Sequence, residues 1–350
     1  RNISCEQSYY NQQQMKNTKM IKIGAIIVLA GAIGGYFIKQ KTAKPVEEEQ
    51  VTQVNAPAFN ADSAYTYIAE QCNFGPRTMN SEAHEQCAQW IVNKFKSFGC
   101  TVSEQKATLK GYDGTPLKAT NIMAQLNPNA TTRILLCAHW DSRPWADNDP
   151  NKDNWKKPVM AADDGASGVA VMLELARSLK SHNLGNIGID FVCFDAEDWG
   201  TPEWIEKTND EDTWALGAQY WSKNLPNNYT ARYGILLDMV GGKNAKFYIE
   251  QASMAYAPEI VAKVWGEAAN AGYSNVFINQ TGGAITDDHI PVNQIAKIPT
   301  IDIIPYYPEM SPNVFGPVWH TVNDNIDNID RKTLKAVGQT VMNVLCQEKE

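Results

Sequence analysis

Ile189-Asp-Phe-Val-Cys-Phe-Asp-Ala-Glu-Asp198 joins a short, nearly unbroken apolar run to two adjacent carboxylates. A run this continuous in apolarity has no wet face, so it reads as a strand buried on both sides, as in parallel sheets. Adjacent acids are ordinarily solvated surface. At the end of a buried strand they point to a ligand site, because ligands of open α/β sheets bind outside the carboxyl ends of the strands.

Working outward, Asn121–Leu126, Arg133–His139, Ile235–Met239 and Pro299–Ile304 are similar runs rich in Ile, Leu and Val. Helical spacing covers Ala166–Ser181, Trp214–Ser222, Pro258–Ala271 and Arg331–Leu345. Two more helical patterns, Ala61–Cys72 and Ser81–Phe98, come first and are closed by Gly75 and Gly99. The alternation predicts an α/β fold with a central, mostly parallel but mixed β-sheet covered by helices on both faces.

The 350 residues are 43% hydrophobic and 20% charged, enough apolar content for a large core. A net charge of −8 without a Lys/Arg tract argues against nucleic acid as a partner. The seven cysteines form no CxxC pair, and Cys137 and Cys193 lie inside apolar runs, where buried thiols are expected.

Lys16, Lys19 and Lys22 precede the uncharged stretch Ile23–Phe37, and Lys39 and Lys41 follow it. This reads as a targeting segment: an uncleaved membrane anchor whose flanking lysines snorkel, or a signal cleaved at Ala30-Gly-Ala32. Either form exports the protein. The expected organisation is an N-terminal extension and anchor over residues 1–39, a polar linker over 40–60 and one catalytic domain over 61–348.

The chemistry-bearing residues cluster at the expected rim: His139-Trp-Asp141, Asp163-Asp-Gly165, Glu197-Asp198, Asp238, Asp287-Asp-His289 and Trp319-His320. Taken singly, an Asp before Gly is ordinarily a turn or cap, and a His beside Trp is ordinarily structural. Together, oxygen and imidazole donors without cysteine suit a catalytic zinc with an open coordination position.

Longer motifs carry a family resemblance. They are Cys137-Ala-His-Trp-Asp-Ser142, the run from Ala162-Asp-Asp-Gly165 to Arg177, Phe194-Asp-Ala-Glu-Asp198, Leu236-Leu-Asp-Met239, Asp287-Asp-His-Ile-Pro291 and Val318-Trp-His-Thr321. Over about residues 61–346 the sequence resembles the zinc-dependent glutaminyl cyclases, within a superfamily that includes the di-zinc aminopeptidases. The resemblance implies a zinc aminopeptidase-like fold and one zinc held by Asp164, Asp198 and His320. It implies Glu197 as general acid/base, assisted by Asp238 and Asp287, and Trp204, Ile285, Phe315 and Trp319 as pocket residues. The family usually has Glu where Asp198 stands, and animal members have His where this sequence has Asp302.

The activity so implied is conversion of N-terminal glutamine of peptides to pyroglutamate with release of ammonia. The alternative is a di-zinc aminopeptidase, with His139 and Asp238 completing a second metal site and Glu197 activating water. A metal-free binding protein on the same fold is a third reading. Glu197-Asp-Trp-Gly200 is closer to bacterial cyclases, which implies a periplasmic enzyme anchored to the membrane.

Overall fold

The structure, a computed structural model, describes residues 55–206, 213–226, 228–311 and 313–349. The expected anchor over 1–39 and the linker as far as 54 lie outside the described residues. Among the described residues no helix is long and apolar enough to cross a membrane.

Two helices open the fold, α1 (Ala61–Cys72) and α2 (Glu82–Ser97). Asn60 caps α1 by accepting the N–H groups of Asp62 and Ser63, and Ser81 caps α2 through that of His84. Strands β1 (Thr101–Lys110), β2 (Pro116–Leu126) and β3 (Thr132–His139) follow. Next come α3 (Ala166–Leu179), β4 (Ile187–Phe194), α4 (Leu216–Lys223) and β5 (Gly234–Leu237). The chain continues through β6 (Phe247–Ile249), α5 (Gln251–Tyr256), α6 (Pro258–Asn270), β7 (Phe277–Thr281) and β8 (Thr300–Ile303) to α7 (Arg331–Gln347).

The main sheet has the order β1-β2-β4-β3-β5-β8, and β6 pairs with β7 in a small second sheet. Pairs β3–β4, β3–β5 and β5–β8 are parallel, whereas β1–β2 and β2–β4 are antiparallel. This is the mixed, mostly parallel sheet that the apolar runs predict. The exception to the sequence reading is β1, whose Thr-Val-Ser-Glu-Gln-Lys-Ala-Thr-Leu-Lys run is largely solvated along the sheet edge.

Side chains alternate across the sheet. Ile134, Leu136 and Ala138 of β3 pack into the core with α1, α2, α3 and α7, while Leu135 and Cys137 pack with Ala218 and Trp221 of α4. Cys137 and Cys193 are fully buried. Helix α3 is buried along nearly its whole length because it lies tight on the sheet. At Gly168 an added Cβ would stand 2.1 Å from the Leu237 carbonyl oxygen, so only glycine permits this approach. Strand β3 sits between β4 and β5, where the chain turns first to one side and then to the other. The crevice above its carboxyl end is therefore the topological switch point.

Candidate active site

Three parallel strands deliver polar groups to that crevice. His139 ends β3, Glu197 and Asp198 follow β4, and Asp238 follows β5. Backbone turns aim them: Ala196, Met239 and His320 have φ of +53°, +47° and +53°. Left-handed backbone at such residues costs on the order of 1–3 kcal/mol each and collects at functional sites. Gly165 admits the imidazole, since an added Cβ would lie 2.7 Å from the His139 ring.

Two groups of candidate metal ligands share Asp164: Asp164, Asp198 and His320, and His139, Asp164 and Asp238, all buried, with ligand atoms within 4.8 Å in each group. His320 Nε2 lies 3.2 Å from Asp198 Oδ1 and 3.5 Å from Asp164 Oδ2. His139 Nε2 lies 2.9 Å from Asp164 Oδ1 and 3.3 Å from Asp238 Oδ1. Asp164 Oδ2, Asp198 Oδ2 and Asp238 Oδ1 are buried with no hydrogen-bond partner in the protein. Buried carboxylate oxygens are ordinarily satisfied, so these orphaned atoms fit a cation.

Buried aspartates hold the loops that carry the candidate ligands. The Asp141 carboxylate accepts the N–H groups of Glu197 and Asp198 at 3.0 and 3.1 Å. Asp324 likewise accepts those of Asp163 and Asp164 at 2.8 and 3.1 Å. The first clamp fixes Glu197 and Asp198, and the second fixes Asp164 together with its neighbour Asp163. Behind His320, Asp147 Oδ1 stands 3.7 Å from Nδ1, and Arg143 donates to both Asp147 and Asp198. A carboxylate behind a histidine orients the ring toward a metal.

Burial, reinforced by the charges of Asp198, Asp287 and Asp288, holds the Glu197 carboxyl well above its usual range, against the opposing pull of His139. Burial and the neighbouring Asp164 push Asp238 up to about 6, against the opposing pull of His139. Burial and Asp238 likewise push Asp287 up to about 7. Carboxyls raised from their usual range in this way suit acid–base chemistry.

These carboxyls open on a cavity of about 280 Å³ whose walls include Trp214, Ile285, Phe315 and Trp319. Trp319 stacks on His320 with ring centroids 3.7 Å apart, and Phe315 packs on Trp319 at 4.5 Å. The structure thus brings Asp164, Glu197, Asp238, Ile285, Asp287, Phe315, Trp319 and His320 to one cavity, with Asp198 and His139 directly behind it. Trp204 is not among its walls. It packs against Trp145 and Trp155, and Trp214, lying nearly parallel to the His320 ring at 4°, occupies the wall.

A further buried group joins Asp287 of the cavity wall to His289 and Asp302. Glu250 approaches His289 Nε2 at 3.3 Å and accepts the N–H of Ile285 at 3.0 Å, tying this group to the cavity wall. Asp302, unexplained by its position in sequence, is fully buried here.

Comparison with known proteins agrees with this architecture. A glutaminyl cyclase from Bacteroides thetaiotaomicron, crystallised with N-acetylhistamine, is 50% identical, superposes with a TM-score of 0.82, and matches over 84% of this chain and 100% of its own. A Zn-dependent exopeptidase from Parabacteroides distasonis is 52% identical, with a TM-score of 0.82 and the same coverage, 84% and 100%. Among curated proteins, the glutaminyl-peptide cyclotransferase of Bothrops jararaca is 28% identical over 240 residues, 61% of either chain. The match thus spans about three fifths of that relative's length. Residues 121–345 match the profile of peptidase family M28, and the chain belongs to that family.

Proposed function

We propose that the protein is a zinc-dependent glutaminyl-peptide cyclotransferase that converts the N-terminal glutamine of peptides to pyroglutamate and ammonia. The observation that carries this reading is the aromatic-walled cavity of about 280 Å³, which gathers Glu197, Asp238 and Asp287 beside the Asp164–His320 cluster. It has room for one folded terminal side chain. The relatives at about half identity that are named glutaminyl cyclases support it further.

One zinc would be held by Asp164, Asp198 and His320, whose two carboxylates offset its charge. Bound there, zinc would supply Lewis acidity toward the side-chain carbonyl of the terminal glutamine. Glu197 takes a proton from the α-amine as its nitrogen attacks the side-chain carbonyl carbon. It then returns that proton to the departing amide nitrogen, which leaves as ammonia. Asp238 keeps the amine near Glu197, and Asp287 holds the amide nitrogen. Phe315, Trp319 and Ile285 bend the glutamine and exclude water, so that amine and amide meet in one molecule.

Asp164 turns Oδ1 toward His139 and Oδ2 toward His320, an arrangement with which it can serve one metal or bridge two. The His139, Asp164 and Asp238 group favours the second reading, a di-zinc aminopeptidase. In the proposed protein residues 61–348 form the catalytic domain, and the lysine-flanked stretch Ile23–Phe37 exports it to the periplasm and anchors it.

The test is incubation of the zinc-loaded protein with glutaminyl and leucyl peptides, following mass change and ammonia. Pyroglutamyl peptide and ammonia are expected from the first. Free leucine from the second, without pyroglutamate, would replace this reading with the aminopeptidase.

A further inference from the structure

The cavity that takes the terminal residue accounts for only the first residue of a peptide. The rest must leave along the surface, and a second cavity of about 510 Å³ adjoins the first. The two share Trp214 and the segment Ala284–Asp287, which forms the lip between them. That lip is anchored: Glu250 accepts the N–H of Ile285, and Gln251 donates its own to the Gly283 carbonyl.

Beyond the lip the groove is apolar in body with polar groups at its edges. Its walls include Ala252, Tyr256, Ile290 and Ile295, with Lys223 and Gln294 beside them. Tyr256 is 40% exposed and Ile295 38% exposed, two bulky side chains left open to water on one groove. Gln294 donates to the Tyr256 hydroxyl at 2.9 Å, which holds the ring in place. Exposed apolar groups gathered beside a site mark a binding surface, and the volume lies within the range of ligand pockets. An extended chain advances about 3.3–3.6 Å per residue, so the residues that follow the terminal one cross the lip into the groove.

We infer that this groove is a subsite for the residues that follow the N-terminal glutamine, and that it prefers peptides with apolar or aromatic side chains there. The inference rests on the cyclase reading for its chemistry. It adds what selects among glutaminyl peptides: small Ala252 leaves space, and Tyr256 and Ile295 supply the contact.

The test compares three substrates on the zinc-loaded full chain: glutaminyl amide, Gln-Gly-Gly and Gln-Phe-Ala. The apolar tripeptide is expected to have a KM about tenfold below that of Gln-Gly-Gly, from burial of one aromatic side chain. Ile295→Asp, a change at an exposed position, should erase that advantage while leaving kcat for all three within about twofold, and Tyr256→Ala should weaken it in the same direction. Equal KM for the two tripeptides in the unaltered protein overturns the inference. So does an equal rise in KM for glutaminyl amide and Gln-Phe-Ala in Ile295→Asp. A protein that makes no pyroglutamate from glutaminyl amide but releases leucine fails the cyclase reading instead. The same Ile295→Asp comparison on leucyl amide and Leu-Phe-Ala then decides the groove separately.

Discussion

Replacing Asp141 by Asn tests whether the clamps make the site. Asp141 is fully buried, and its two oxygens accept the N–H groups of Glu197 and Asp198 at 3.0 and 3.1 Å. Asparagine keeps the shape but turns one acceptor oxygen into an NH₂ that faces an N–H. A hydrogen bond to a charged group is worth about 1.5–3 kcal/mol, and a buried donor left without a partner costs about 1–3 kcal/mol. Partial relaxation brings the expected loss to about 2–4 kcal/mol, a fall in Tm of roughly 5–10 °C. Because the same peptide carries Asp198, zinc affinity should fall about 10–100-fold, as when groups behind metal ligands are removed. Thermal melting and chelator competition measure the two effects. Asp324→Asn, which loosens Asp163 and Asp164 in the same way, is the matching control. A variant at residue 141 with unaltered Tm and unaltered zinc affinity would refute the clamp.

Glu197→Gln keeps size and loses the proton carrier, so turnover should fall by about 10²–10⁴-fold with zinc content unchanged; survival of activity would remove Glu197 from its role. Stripping zinc with a chelator should lower Tm, and zinc at about a hundredfold excess over its Kd should restore about 2.7 kcal/mol. Metal analysis of the reloaded protein is expected to give one equivalent, and two equivalents would favour the di-zinc reading. Burial alone would raise the Glu250 carboxyl, but the facing His289 and the N–H groups of Ala252 and Ser253 override it and bring it down to about 2. A depressed carboxyl contributes stability above its unfolded value of 4.5 and loses it as pH falls toward about 2. Glu250→Gln should therefore cost about 2 kcal/mol at neutral pH, after allowance for solvent screening. In melts across pH the gap to the unaltered protein should close below about 4.5; a constant gap would remove the ionic explanation.

The parts of the fold that were legible in sequence are those where burial leaves a one-dimensional trace. Strands β3, β4, β5 and β8 are covered on both faces, so their apolar runs are nearly unbroken. Strand β1 pairs with β2 along ten residues, from Thr101↔Gln125 to Lys110↔Pro116, yet most of its side chains meet water. Its order comes from backbone pairing, which composition does not record. Strand β6 has only 3 residues and owes its place to β7, 277–281, so no periodicity can build up within it.

The site follows the same logic. His139, Glu197, Asp198 and Asp238 were legible because each ends or follows a buried run, and strand direction alone sends them to one rim. The wall tryptophan was not. Trp214 opens a helical pattern in the sequence, but α4 begins at Leu216, Ala215 turns left-handed at φ +52°, and the Trp214 ring lies against His320. Nothing local distinguishes it from Trp204. The clamps were less legible still, since Asp324 lies 160 positions from Asp164 and Asp141 lies 57 from Asp198. A loop aspartate is ordinarily a turn residue. What makes these two different is the pair of successive N–H groups that each one meets after folding. Those N–H groups come from turns that carry a candidate ligand side chain, Asp198 or Asp164, and turn the backbone donors toward the buried carboxylate. A buried turn of that kind requires an acceptor, so the need for Asp141 and Asp324 arises from the site itself.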